Sequence, residues 1–115
     1  MTTIKDYTDI EQSKKLAKIL PLESADMIYT MVNGYHTPFI RIETIKEIDE
    51  DDVLCWSIAA LLGVLPEGYS SILTKSFNGK DYYCKIDGKP FESKADNPVD
   101  ACVAMIENLH ELKML

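Results

Sequence analysis

The stretch SILTKSFNGKDYYCKIDGKPF, residues 71–91, decides the fold of this chain. It holds two turn dipeptides, Asn78-Gly79 and Asp87-Gly88, each flanked by residues that alternate between apolar and polar. Asn-Gly and Asp-Gly supply the positive-φ positions that tight hairpin turns require, so two of them at this spacing predict a three-stranded antiparallel meander. Two-residue loops at both turns set Leu73 opposite Cys84 and Cys84 opposite Phe91. Side chains alternate along a strand, so Phe77, Tyr82 and Ile86 share that face, the expected core side. The outer face carries Ile72, Thr74, Ser76, Asp81, Tyr83, Lys85 and Glu92. Pro90, with no amide to donate, assigns the third strand to an edge.

After the meander, Asn97-Pro98 has the form of a helix cap followed by proline at the first helical position. A helix from Pro98 to about Lys113 is predicted, with Val99, Cys102, Val103, Ile106 and Leu109 as the stripe that meets the meander. Before the meander, Val53 to Val64 is apolar nearly all round, which predicts a buried central helix capped by Asp51 or Asp52 and ended by Pro66 and Gly68. Earlier still, Met27 to Val32 and Phe39 to Ile45 are expected as strands around Asn33-Gly34, with Pro38 holding the start of the second to an edge or a loop. Thr8 and Glu11 have capping-box spacing and open a first helix that Pro21 stops. The expectation is one α+β domain over residues 1–115: an antiparallel sheet, made of a three-stranded meander plus a hairpin, with three helices on one face.

The chain has 115 residues, 46 % of them hydrophobic, enough for a core without metal or disulfide staples. Nineteen acidic against twelve basic side chains give a net charge of −7, which repels phosphate backbones and anionic lipid. The lysines are scattered and Arg41 is the single arginine, so base-reading forks are poorly supplied and nucleic acid is not expected as a partner. Cys55, Cys84 and Cys102 are odd in number and lie in apolar patterns, which favours a reducing compartment and buried thiols. The opening residues lack the layout of a secretory signal. The most apolar run, Val53 to Leu65, falls well short of the roughly 20 residues that cross a bilayer. The expected setting is cytoplasmic, with no membrane partner.

Chemistry-bearing residues are thinly placed. Cys55 near a helix start, with His36 or His110 as base, is the one arrangement resembling an activated thiol, set against the commoner role of free cysteine as a small buried hydrophobe. No Cys or His pair has metal-ligand spacing, and the acidic run Glu47, Asp49, Glu50, Asp51 and Asp52 lacks the glycine and the closing glutamate of a calcium loop. The five glycines are isolated and form no phosphate cradle. No cofactor, metal ligand or catalytic residue is assigned. Tyrosine is well supplied, and Tyr83, Lys85 and Thr74 on the outer sheet face are the candidate binding residues, for an unknown protein partner or a second copy of the chain.

Tyr7-Thr8-Asp9-Ile10-Glu11-Gln12-Ser13-Lys14-Lys15-Leu16-Ala17, then Leu20-Pro21 and Glu23-Ser24-Ala25-Asp26-Met27, resembles the opening of small uncharacterised intracellular proteins from gut Bacteroides and their phages or mobile elements. Cys55-Trp56-Ser57-Ile58-Ala59-Ala60-Leu61-Leu62, Val64-Leu65-Pro66 and Asn97-Pro98-Val99-Asp100-Ala101-Cys102 are similar too, and the segment from about Tyr29 to Asp52 matches least. The resemblance implies an intracellular, phage- or element-linked setting and carries no activity or site residue. Strand, turn, strand and a helix opening Asn-Pro-x-Asp-Ala also resembles the antitoxin half of some toxin–antitoxin pairs, at the level of fold.

The leading functional expectation is therefore a non-catalytic interaction or accessory protein. Two others compete with it: a small hydrolase or transferase whose carboxylates are gathered only by the fold, and an acidic inhibitor or antitoxin-like protein.

Overall fold

The computed structural model describes residues 5–41, 50–66 and 70–115. Helix α1, Ile10–Leu16, opens one residue later than the Thr8/Glu11 spacing suggests. Its box is Asp9 and Gln12: the Gln12 amide donates to Asp9 Oδ1 at 2.8 Å, and the Asp9 amide to Gln12 Oε1 at 3.2 Å. Thr8 cannot serve as the cap because its hydroxyl is buried, where it bonds to the Ser13 hydroxyl (2.7 Å) and accepts from the Trp56 amide (3.1 Å).

Strands β1, Met27–Val32, and β2, Tyr35–Ile40, form the expected hairpin. It closes at Val32↔Tyr35 around Asn33 and Gly34, whose φ values of 51° and 83° are both positive, as the tight turn demands. β2 starts ahead of the predicted Phe39, and residues 42–45 of that prediction lie outside the described residues.

Val53–Cys55 is a strand, β3, and not the first turn of a helix. It pairs antiparallel with β1 through Met27↔Cys55, Ile28↔Leu54 and Tyr29↔Val53, giving a sheet of order β2-β1-β3. A run that is apolar on every side has no helical period to fix its conformation, and the open edge of β1 takes its first three residues. Helix α2, Ile58–Gly63, begins after them and is capped by Ser57, whose hydroxyl accepts from the Ala60 amide, and not by Asp51 or Asp52.

Just beyond β3 the chain is paired: Tyr7 bridges Ser57, the Thr8 amide donates to the Trp56 carbonyl (2.9 Å), and the Ile58 amide to the Asp6 carbonyl (3.2 Å). The outer edge of β2 is blunted by Pro38, opposite Tyr29. The closing pair of a two-residue hairpin exchanges hydrogen bonds and the pairs alternate from there, so Tyr29↔Pro38 is a non-bonded pair and the missing amide hydrogen belongs to the outward edge.

The meander forms a second sheet of strands β4, Ser71–Lys75, β5, Tyr82–Ile86, and β6, Glu92–Ala95, in that order. The antiparallel strands thus make two three-stranded sheets rather than one. Leu73 pairs with Cys84 as expected, whereas Cys84 pairs with Ser93 and not Phe91. The second turn spans residues 87–90: the Ile86 amide reaches the Phe91 carbonyl (3.2 Å), and the Asp87 amide is drawn to Ser70 instead (2.8 Å). A slip of two residues keeps every side chain on its predicted face. Phe77 departs from prediction altogether and is fully exposed. Ser76 and Asn78 close the first turn, through the Asp81 amide on Ser76 Oγ (3.1 Å) and the Lys80 amide on Asn78 Oδ1 (2.9 Å), and this places Phe77 in the turn.

Helix α3, Pro98–Glu111, starts as predicted, with Asn97 Oδ1 accepting from the Asp100 amide at 2.9 Å. Its stripe of Val99, Cys102, Val103, Ile106 and Leu109 is buried. These side chains join Leu16, Ile28, Trp56, Leu61, Cys84 and Ile86 in one hydrophobic cluster, so α1, α2, α3 and both sheets share a core. The fold is α+β.

Candidate functional site

The outer face of the meander brings the three candidate binding residues together. Thr74 pairs with Tyr83 across the β4–β5 ladder, and Lys85 follows two residues on, with its Nζ 5.5 Å from the centre of the Tyr83 ring. Lys85 also lies 3.4 Å from Glu92, and Lys94 lies 3.7 Å from Asp81. Tyr83 and Lys85 are half-buried and Thr74 is exposed. Lys85 thus has both a ring and a carboxylate, each contributing at most about 1 kcal/mol at such exposure. A shallow hollow beside it is lined by Ile72, Lys85, Pro90 and Glu92.

The activated-thiol arrangement is not formed. Cys55 is wholly buried, and its thiol is pushed up to about 12 by desolvation and by the nearby Asp26 charge, the reverse of what a nucleophile needs. His36 instead hydrogen-bonds to the Asp51 carbonyl (2.9 Å), and His110 is exposed in the last turn of α3. Cys84 and Cys102 are also free and buried, and the Cys102 thiol is raised by its hydrogen bond to Cys84 and by burial.

The fold gathers two carboxylates, Asp9 and Asp100, around one lysine. Lys5 Nζ lies 3.1 Å from Asp9 and 2.8 Å from Asp100, and Gln12 Nε2 and Asn97 Nδ2 each donate to Asp100 at 2.7 Å. Partial burial works to raise both carboxyls, but the Gln12 amide and Lys5 on Asp9, and Lys5, Asn97 and Gln12 on Asp100, outweigh it and hold both below the usual carboxylate range. A general acid needs the opposite shift, so this cluster ties the starts of α1 and α3 together and is poorly suited to proton transfer. Among the described residues no group of three or more His, Cys, Asp or Glu side chains could hold a metal ion. Of the acidic run, Glu47 and Asp49 lie outside the described residues.

A hollow of about 480 Å³ is lined by Glu23, Ser24, Ala25, Asp26, Ile40 and Arg41. Its polar groups are bonded within the fold: the Arg41 guanidinium donates to the carbonyls of Leu22 (2.7 Å) and Ala25 (3.2 Å), Asp26 accepts from the Ser57 amide (2.9 Å), and the Ser24 hydroxyl accepts from Trp56 Nε1 (2.9 Å).

Apart from Phe77 in its turn, the most exposed large apolar side chains among the described residues lie on the β1–β2 hairpin, which holds none of the candidate binding residues. Tyr35 and Ile40 are 77 % and 79 % exposed, and Met31, Val32 and Phe39 are exposed beside them. The sequence carried a signal for this surface: from Met27 to Ile40 no residue is acidic, lysine or arginine, in a chain 27 % charged. Two runs of strand-forming residues explain a hairpin equally well without it, so the signal passed as secondary structure.

Among the described residues no helix is long and apolar enough to cross a membrane. No family model matches this chain, and neither a curated protein nor a solved structure matches it at a significant level.

Proposed function

We propose that the protein is a non-catalytic interaction or accessory protein whose contact surface is the β1–β2 hairpin. The observation that carries this reading is the concentration of Met31, Val32, Tyr35, Phe39 and Ile40 as exposed apolar side chains on one uncharged hairpin. Water leaves such a surface at little polar cost, and tyrosine and phenylalanine bring large contact area with few rotatable bonds. The lysine pairs on Asp9, Asp81, Glu92 and Asp100 spread and partly neutralise the acidic surface, which favours this reading over an acidic mimic of nucleic acid. The intracellular, phage- or element-linked setting implied by the sequence resemblance is part of the proposal, as is the cytoplasm as its location.

The test is affinity capture of the tagged protein from its host's lysate at low and moderate salt, comparing wild type with Ile40→Lys and Tyr83→Ala. A near-stoichiometric bound chain that survives moderate salt, is lost with Ile40→Lys and is kept with Tyr83→Ala is expected. Nothing bound at either salt, or loss with Tyr83→Ala alone, overturns the hairpin as the contact surface.

A further inference from the structure

We infer that Cys84 and Cys102 form a modification site: a hydroperoxide small enough to enter the core converts the two thiols into a disulfide that ties β5 to α3, while Cys55 stays reduced.

The fold sets this pair apart from the third cysteine. Cys84 is the central residue of β5, the middle strand of the meander, and Cys102 lies in the second turn of α3, which packs against β5. Both side chains are wholly buried in the shared core, and the Cys102 thiol hydrogen-bonds to the Cys84 sulfur, so the two sulfurs are in direct contact across the seam between sheet and helix. Cys55 ends β3 in the other sheet and has Asp26 and Tyr29 beside it instead of a second thiol.

Electrostatics give the two sulfurs different parts. The hydrogen bond from Cys102 favours the Cys84 thiolate and outweighs burial, holding Cys84 below its ordinary value, whereas the same bond, with burial, raises Cys102. Cys84 is therefore the attacking thiolate. Its sulfur takes one oxygen of the hydroperoxide, the O–O bond breaks, and the other oxygen leaves with the Cys84 proton as an alcohol, or as water from hydrogen peroxide. The Cys102 sulfur then attacks the sulfenic sulfur of Cys84, the S–S bond forms, and the hydroxyl leaves with the Cys102 proton as water. Two thiols lose two electrons and two protons, and the hydroperoxide takes up both. Size selects the oxidant, because wholly buried thiols react only as the core opens locally, which admits hydrogen peroxide sooner than a peptide disulfide such as that of glutathione. Ser93, the buried cross-strand neighbour of Cys84, accepts from the exposed Asn108 amide at 3.3 Å, so polar groups run from solvent to the strand position beside Cys84.

The test is treatment of the reduced, folded chain at low micromolar concentration with hydrogen peroxide and, separately, with oxidised glutathione. Free thiols are counted by alkylation after denaturation, and unreduced peptides are mapped by mass. Peroxide should lower the count from three to one, with Cys84 joined to Cys102 in a monomeric chain and Cys55 alkylated, and dithiothreitol should restore all three. The same disulfide should form at least tenfold more slowly with oxidised glutathione. Cys55→Ser should form it as wild type does. Cys102→Ser, shown to be folded by circular dichroism, should instead leave a sulfenic acid at Cys84 that dimedone labels. Three thiols persisting in peroxide overturn the inference, as does a disulfide that includes Cys55, an equal rate with glutathione, or a folded Cys102→Ser chain that takes no label at Cys84.

Discussion

Thr8 and Trp56 grip one another through both backbone and side chain: the Thr8 amide donates to the Trp56 carbonyl at 2.9 Å, and the Trp56 amide donates to Thr8 Oγ1 at 3.1 Å. Both residues are wholly buried, and the same hydroxyl meets Ser13 Oγ at 2.7 Å. Thr8→Val keeps the shape and strips these side-chain bonds, leaving a buried amide and a buried hydroxyl without that partner. The variant should lose about 2 kcal/mol of unfolding free energy in urea titration. Thr8→Ser, which keeps the hydroxyl, should lose clearly less, and equal losses would contradict the assignment.

Acid should loosen the joint between α1 and α3. Asp9 and Asp100 have folded pKa values below the ordinary 3.8, so more protons are bound in the unfolded chain as pH falls. The stability they contribute is complete above the unfolded carboxylate pKa and is lost as pH drops through the folded values. Melting temperature measured from pH 6 down to pH 2 should fall less steeply for Asp100→Asn than for wild type. A variant curve parallel to wild type would remove this cluster from the acid response.

The alkaline side has different residues and the opposite sign. Burial raises Cys55 from 9.0 to about 12, and burial with the neighbouring Cys55, Tyr7 and Asp9 raises Tyr29 from 10.0 to about 12. Above pH 9 the unfolded chain releases these protons first, so the stability present below that pH is lost as pH rises through the folded values. The Tyr29 hydroxyl donates to the Thr8 carbonyl at 2.8 Å, so Tyr29→Phe should be less stable at pH 7 by about 1 kcal/mol, yet lose less between pH 9 and pH 12. Denaturant midpoints across that range give both numbers, and an unchanged alkaline slope would contradict the burial argument.

Phe77 and Ile86 were both expected on the core face, and the structure separates them. Ile86 is 2 % exposed and sits in the core cluster, so Ile86→Ala should cost about 2–5 kcal/mol. Phe77 is fully exposed in its turn, so Phe77→Ser should change stability by less than about 0.5 kcal/mol. Thermal melts of the two variants decide it, and a comparable loss at Phe77 would put the ring back in the core.

What was legible in the sequence is what local chemistry dictates. Asn33-Gly34, Asn97-Pro98 and the stripe from Val99 to Leu109 fix their elements within a few residues, because turn conformation, capping and helical period are properties of neighbours in the chain. The misplacements arise where distant partners decide. Val53–Cys55 becomes a strand because β1 offers an edge, and Thr8 leaves the capping role because Trp56 and Ser13 take its hydroxyl. The outer-face group of Thr74, Tyr83 and Lys85 followed from strand alternation alone. The exposed hairpin did not, because exposure depends on what the rest of the chain leaves uncovered, and apolar strand residues are ordinarily covered.

Lys5 binds one carboxylate at Asp9 and another at Asp100, and residues 6–8 lie along the chain at 56–58. Apart from Asp9, the partners of residues 5–8 are therefore synthesised long after them, the last of them inside α3. The β1–β2 hairpin and the meander close over short loops, whereas docking residues 5–8 closes loops of about 50 and 95 residues, the slowest class of contact to form. On a ribosome, residues 6–8 meet their partners at 56–58 well before α3 emerges, whereas Lys5 gains Asp100 only once α3 has been made. Until residues 56–58 are made, the chain passes through a more association-prone form with residues 5–8 still undocked.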